Sequence, residues 1–143
     1  MSFNVLIVDD SNSMRGVVKK VISMSGFKMD QCLEAENGKE ALRILEQNWV
    51  DVILSDINMP EMNGLEFLEQ LQKEELFKRI PVIIISTESR EDRVREAIGL
   101  GAKAFIKKPF LPAEVKKVLY EVIGVDHGEE YRGDNGDDGD LDF

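Results

Sequence analysis

The sequence is poor in the residues that staple or anchor small proteins. It has one cysteine, Cys32, so no internal disulfide can form and thiolate metal sites are excluded. Its one histidine, His127, sits in the last twenty residues. Long hydrophobic runs are missing too. The longest, such as Val82 to Ile85, are strand-sized and far short of the roughly 20 apolar residues that span a bilayer. The start, Met-Ser-Phe-Asn, has neither the basic region nor the apolar stretch of a secretory leader, so a cytoplasmic protein without membrane insertion is expected. What the chain does have is material for a core. Hydrophobic residues make up 43% of its 143 positions, which suits one domain and is too little chain for two.

A net charge of −10 argues against nucleic-acid binding, because phosphates would be repelled. The charge is unevenly placed. From Asp126 to Phe143 there are eight acids and one arginine, a net of −7, which leaves 20 acids and 17 bases, a net of −3, before them. The expected organisation is therefore a folded domain over 1–124 and an acidic, glycine-rich, flexible tail over 125–143. Within the tail, Asp134, Gly136, Asp138, Gly139, Asp140 and Asp142 partly resemble the start of a calcium loop, but the chain ends before the twelfth-position glutamate. A solvating tail is the plainer expectation.

Two hydrophobic periods alternate along the domain. Val5-Leu6-Ile7-Val8 is a continuous apolar run, the mark of a strand buried on both faces. Met14, Val17, Val18, Val21 and Ile22 then recur at helical spacing, with a cap among Ser11, Asn12 and Ser13 and a stop at Gly26. Further strands are expected at Gln31 to Ala35, Val52 to Ser55, Val82 to Ile85 and Ala104 to Ile106. Helices are expected after Asn37, after Asn63, from Arg90 to Ile98 and from Pro112. Leu111 has no side-chain oxygen to cap the last of these. Five βα units imply right-handed crossovers and a doubly wound, five-stranded parallel sheet covered on both faces.

In open parallel sheets ligands bind beyond the carboxyl ends of the strands. Asp9 and Asp10 follow the first strand, Asp56 and Asn58 the third, Ser86 the fourth and Lys108 the fifth. Three carboxylates, a hydroxyl and an ammonium are thus expected at one sheet edge. Each has a plainer reading alone: Asp-Asp as turn chemistry, Ser as a helix cap, Lys before Pro as a solvated loop residue. Ionised carboxylates brought within ~4–5 Å repel by several kcal/mol per pair at an effective dielectric near 20. A divalent cation would relieve that, and all-oxygen donors favour Mg²⁺, or Mn²⁺, over zinc.

Val8-Asp9-Asp10, Asp56-Ile57-Asn58-Met59-Pro60-Glu61-Met62-Asn63-Gly64, Ser86 and Lys107-Lys108-Pro109-Phe110 together resemble the receiver domains of two-component response regulators. The resemblance runs from about Phe3 to Ile123 and is strongest to stand-alone, CheY-like chemotaxis regulators. It implies a flavodoxin-like (βα)5 fold with strand order 2-1-3-4-5, an order for which CheY is itself the standing example.

The resemblance also implies roles. Asp56 would be the phosphoacceptor, attacking the phosphohistidine of a sensor histidine kinase. Asp10, Asp56 and the Asn58 backbone carbonyl would hold the metal directly, and Asp9 would act mainly through a metal-bound water. Lys108 and the Ser86 hydroxyl would each meet a phosphoryl oxygen, and the Lys108–Pro109 bond would be cis. Ser86 and Phe105 would form the conformational switch, although Phe105 has a plainer reading as core. Asn58 and Glu88 would tune dephosphorylation.

The implied output is altered binding of a protein target through the fourth helix, fifth strand and fifth helix, such as a flagellar switch, with a phosphatase as a further partner. The chain would be a monomer and not a turnover enzyme. Two other readings stand beside this one. The first is a phosphorelay intermediate or phosphate sink. The second is a Mg²⁺-dependent aspartyl phosphatase, which would carry its two acids as Asp-x-Asp after the first strand, whereas here they are adjacent.

Overall fold

The computed structural model describes residues 2–87 and 90–124. Glu88, His127 and the whole acidic segment over 125–143, including the calcium-loop likeness, lie outside the described residues. The elements follow in strict alternation: β1 (Phe3–Val8), α1 (Asn12–Ser25), β2 (Met29–Ala35), α2 (Gly38–Gln47), β3 (Val52–Ser55), α3 (Gly64–Gln72), β4 (Val82–Ser86), α4 (Glu91–Gly99), β5 (Ala104–Lys107) and α5 (Pro112–Ile123). All strand pairs are parallel, in the order β2-β1-β3-β4-β5.

The sheet divides the interior in two, and strand alternation decides which residue enters which half. Leu6, Val8, Ile53, Val82 and Ile84 face α2, α3 and α4, where they meet Ala41, Leu45, Phe67, Leu68 and Ala97. Val5, Ile7, Val52, Leu54, Ile83 and Ile85 face α1 and α5, where they meet Val18, Ile22, Val115 and Leu119. Because β1, β3 and β4 are covered on both sides, they carry unbroken apolar runs. Each large side chain buried this fully contributes roughly 1.5–3 kcal/mol relative to exposure. The edge strand β2 is only half covered, and Cys32 on it is partly buried, with burial pushing its thiol pKa up.

The helix ends follow local chemistry. Ser11 caps α1 by accepting the Met14 N–H at 3.1 Å, and Gly26 closes it in the left-handed region. Asn37 caps α2, and Asn63 with Glu66 forms a reciprocal capping box on α3. Neither Leu111 nor Arg90 supplies a side-chain cap.

Two expectations need correction. The strand β2 begins at Met29, two residues before Gln31. Val17 does not join the inner face of α1: it is exposed, while Arg15 and Ser25 are buried with Val18 and Ile22. At 100° per residue, positions 14, 15, 18, 22 and 25 lie within a narrow arc, and position 17 falls outside it.

Candidate functional site

The chain enters β2 on one side of β1 and β3 on the other, so the crevice between β1 and β3 is where the strand order reverses. Their register pairs Val8 with Ser55, which brings the next residues, Asp9 and Asp56, side by side. The ladder continues one step further through the Asp56 N–H, which donates to the Val8 carbonyl at 2.9 Å.

Asp9 is buried. One of its oxygens accepts the Ser11 N–H at 2.8 Å, and its own N–H donates to the Ala35 carbonyl at 3.0 Å. Asp56 is more open, with Oδ1 accepting the Ile57 N–H at 2.6 Å. Lys108 arrives from the end of β5, held there by its N–H donating to the Ser86 carbonyl at 2.9 Å. Its Nζ stands 3.4 Å from an oxygen of Asp9 and 3.4 Å from an oxygen of Asp56. Both contacts exceed the 2.7–2.9 Å usual for a charged N–H···O bond. The ammonium therefore balances two carboxylates without closing tightly on either.

Burial is the main reason the Asp9 carboxyl is held above the usual aspartate range. The Ser11 N–H and the Lys108 ammonium oppose the rise, and the neighbouring Asp56 carboxylate adds to it.

Asp10 takes a different position. It is exposed, at the rim of the crevice. Asp9 is thus enclosed by the protein, whereas Asp10, one residue further from the end of β1, is open to solvent. Accordingly, no group of three or more histidine, cysteine, aspartate or glutamate side chains is gathered at metal-site spacing among the described residues. The donors that are present suit a hard cation all the same: they are carboxylate and carbonyl oxygens, and one ammonium does not neutralise Asp9, Asp10 and Asp56 together.

Ser86 ends β4 and is fully buried. Ile84 pairs with Phe105 across the β4–β5 ladder, and Ser86 lies two residues beyond Ile84. Ser86 and Phe105 therefore share the sheet face covered by α4. Phe105 is partly buried against that core. Asn58 is exposed in the loop after Asp56. The Lys108–Pro109 peptide is cis.

Two residues that shape the site carry weaker signals in the sequence. Gly64 lies directly against the backbone of Asp56 and Ile57: a Cβ there would sit 2.3 Å from the Asp56 carbonyl oxygen and 2.8 Å from the Ile57 Cα. Its N–H donates to the Ile57 carbonyl at 2.8 Å, which folds the loop back onto the start of α3. Arg15 is buried beneath the β1–α1 turn, with its Nε 2.8 Å from Glu34. A charged residue one helical turn before Val18 and two before Ile22 was the available signal for it.

Fold and site together define a doubly wound α/β protein with an aspartate pair bridged by a lysine at the strand-order switch point. Residues 5–120 match the family described as the response regulator receiver domain. The chemotaxis protein CheY homolog of Campylobacter jejuni is 40% identical over 126 residues, covering 87% of this chain and 95% of that protein. Chemotaxis protein CheY4 of Vibrio cholerae superposes with a TM-score of 0.76 at 34% identity, covering 85% of this chain and 99% of the other. The receiver domain of a Pseudomonas aeruginosa sensor histidine kinase shares the fold at a TM-score of 0.76 and 22% identity, covering 87% and 99%. The chain belongs to the response regulator receiver family and is of the CheY type, a phosphorylation-activated signalling switch of chemotaxis regulators. Among the described residues, no helix is long and apolar enough to cross a membrane.

Proposed function

We propose that Asp56 accepts a phosphoryl group from the phosphohistidine of a sensor histidine kinase. The observation that carries this reading is the Lys108 ammonium poised 3.4 Å from both Asp9 and Asp56. An Asp56 oxygen attacks phosphorus as the phosphorus–nitrogen bond breaks, and the imidazole leaves with the electron pair and takes up a proton. Lys108 exchanges its loose contact with Asp56 for a phosphoryl oxygen, and the Ser86 hydroxyl meets another. Such transfer needs alignment and charge neutralisation more than covalent help.

Asp10, Asp56 and the Asn58 carbonyl would hold Mg²⁺, with Asp9 acting through a bound water. The cation supplies neutralisation of the phosphoryl oxygens and of the excess carboxylate charge. The Pseudomonas receiver domain of the same fold carries a magnesium ion coordinated in its active-site cleft, which supports this assignment.

Withdrawal of Ser86 toward the phosphoryl group would free space on its face of the sheet for Phe105, changing the surface of α4, β5 and α5 on which a protein target docks. That target would be a flagellar switch. The chain would act in the cytoplasm, promote only its own phosphorylation and dephosphorylation, and lose its phosphoryl group with the help of Asn58 and Glu88.

The experiment is reaction with a small-molecule phosphodonor and Mg²⁺, followed by intact mass. Wild type is expected to gain one hydroxylamine-sensitive phosphate and Asp56→Asn none. Failure of wild type to gain that mass would sink the reading. A chain that passes phosphoryl to histidine phosphotransfer proteins without binding a motor component would instead be a relay intermediate.

A further inference from the structure

Asp9 and Asp10 are neighbours in sequence but are held in opposite ways. Asp9 is pinned at its N–H by the Ala35 carbonyl, at its carboxylate by the Ser11 N–H, and by Lys108. The Asp10 carboxylate makes no hydrogen bond or ion pair with the described residues, so no side-chain contact to them places it and its backbone sets where the side chain begins.

That backbone has a specific anchor. The Arg15 side chain is buried, and three of its nitrogens are used on three different elements. Nε donates to Glu34 of β2 at 2.8 Å, Nη2 donates to the Asn12 side chain at the start of α1 at 2.8 Å, and Nη1 donates to the Asp9 carbonyl oxygen. The Asp9 carbonyl is half of the planar peptide that joins Asp9 to Asp10. Fixing the direction of that carbonyl fixes the plane from which the Asp10 Cα departs. A guanidinium suits this task because its donors form a rigid fork, whereas a lysine ammonium on a flexible stem cannot hold three separated acceptors at once.

We infer that Arg15 is a positioning residue for cation binding: it never touches the cation but holds the Asp9–Asp10 peptide so that Asp10 leaves the backbone at the rim of the crevice, and Glu34 in turn orients Arg15. The inference rests on the Mg²⁺ site proposed above.

The test is calorimetric titration of Mg²⁺ into wild type, Arg15→Met, Arg15→Lys and Glu34→Gln, with circular dichroism and thermal melts alongside. Arg15→Met is expected to weaken Mg²⁺ binding about tenfold, with Arg15→Lys failing to restore it and Glu34→Gln costing about twofold. Phosphorylation of Arg15→Met should be slow at low Mg²⁺ and recover at saturating Mg²⁺. A residue that only braces the fold would lower the melting temperature and leave the Mg²⁺ dissociation constant unchanged, and that result overturns the inference. If Arg15→Met does not fold, Arg15→Lys and Asn12→Ala decide on the same readout. Absence of Mg²⁺ binding in wild type would instead remove the metal site itself, and the role of Arg15 with it.

Discussion

The two ends of the β1–β3 pair are built from the same strands to opposite purposes. At the amino end, the Asn4 N–H donates to Asp51 at 2.7 Å, the Asn4 amide to the Trp49 carbonyl at 2.9 Å, and the Trp49 indole to Asp51 at 3.0 Å. The Asn4 side-chain oxygen also accepts the Gln31 N–H at 3.2 Å. Asp51 is thus satisfied by neutral donors at normal lengths. At the carboxyl end, Asp9 and Asp56 share one ammonium at 3.4 Å, with Asp9 buried and held above its usual range. One end is a clasp, with its charge quenched by short bonds. The other keeps an excess of negative charge that a cation would relieve, and a perturbed carboxylate of this kind is found most often where proteins do chemistry.

Substitution should separate the ends. The largest contrast is between two aspartate-to-asparagine changes. Asp56→Asn is expected to abolish phosphate incorporation, whereas Asp51→Asn should leave incorporation intact and cost about 1–2 kcal/mol in a urea melt. Next in size is the response to Mg²⁺. At a concentration 100 times its dissociation constant, a cation bound only by the folded state adds about 2.7 kcal/mol of stability. Denaturation with and without Mg²⁺ should show that gain in wild type and in Asp51→Asn, and its loss in Asp10→Ala.

Gly64→Ala comes third. The added Cβ meets backbone rather than a movable side chain, so about 1–3 kcal/mol should be lost. Phosphorylation should slow in the same variant, because the Asp56 loop must shift. A variant as stable and as fast as wild type would contradict that close approach.

The smallest effect concerns pH. Folded Asp9 binds its proton at a higher pH than the unfolded chain does. Between the ordinary aspartate range and the raised value the folded state therefore holds more protons, so stability falls as pH rises through that window and stays lower above it. Asp9→Asn should remove this dependence and be more stable than wild type at neutral pH, where the buried wild-type carboxyl is ionised. Parallel stability–pH curves for the two proteins would be the opposing result.

The fold was legible because its signals were redundant. The doubly covered strands announced themselves as apolar runs, Asn37 and Asn63 marked helix starts that the structure uses, and of Ser11, Asn12 and Ser13 the structure uses Ser11. The order of the strands was a different matter: periodicity gives elements but not neighbours, and the order came with the family resemblance. Asp56, Asp9 and Lys108 were found because each closes a strand, and parallel strands must deliver them to one edge. The finer division between a buried Asp9 and an exposed Asp10 depends on one step of backbone direction, which residue types do not encode. Arg15 was passed over because Val17 fits a loose helical spacing better than an arginine does. Only the exact arc of the α1 inner face places the arginine inside and the valine outside.

The clasp at the amino end also decides what light can report about this molecule. Trp49 is the only tryptophan in the chain and lies 78% exposed at the end of the sheet away from Asp56. Its emission should already resemble that of indole in water. Intrinsic fluorescence will therefore follow disruption of the Asn4–Asp51 contacts and stay nearly silent when a cation or phosphoryl group arrives. Optical titrations of this protein call for a probe introduced beside the crevice.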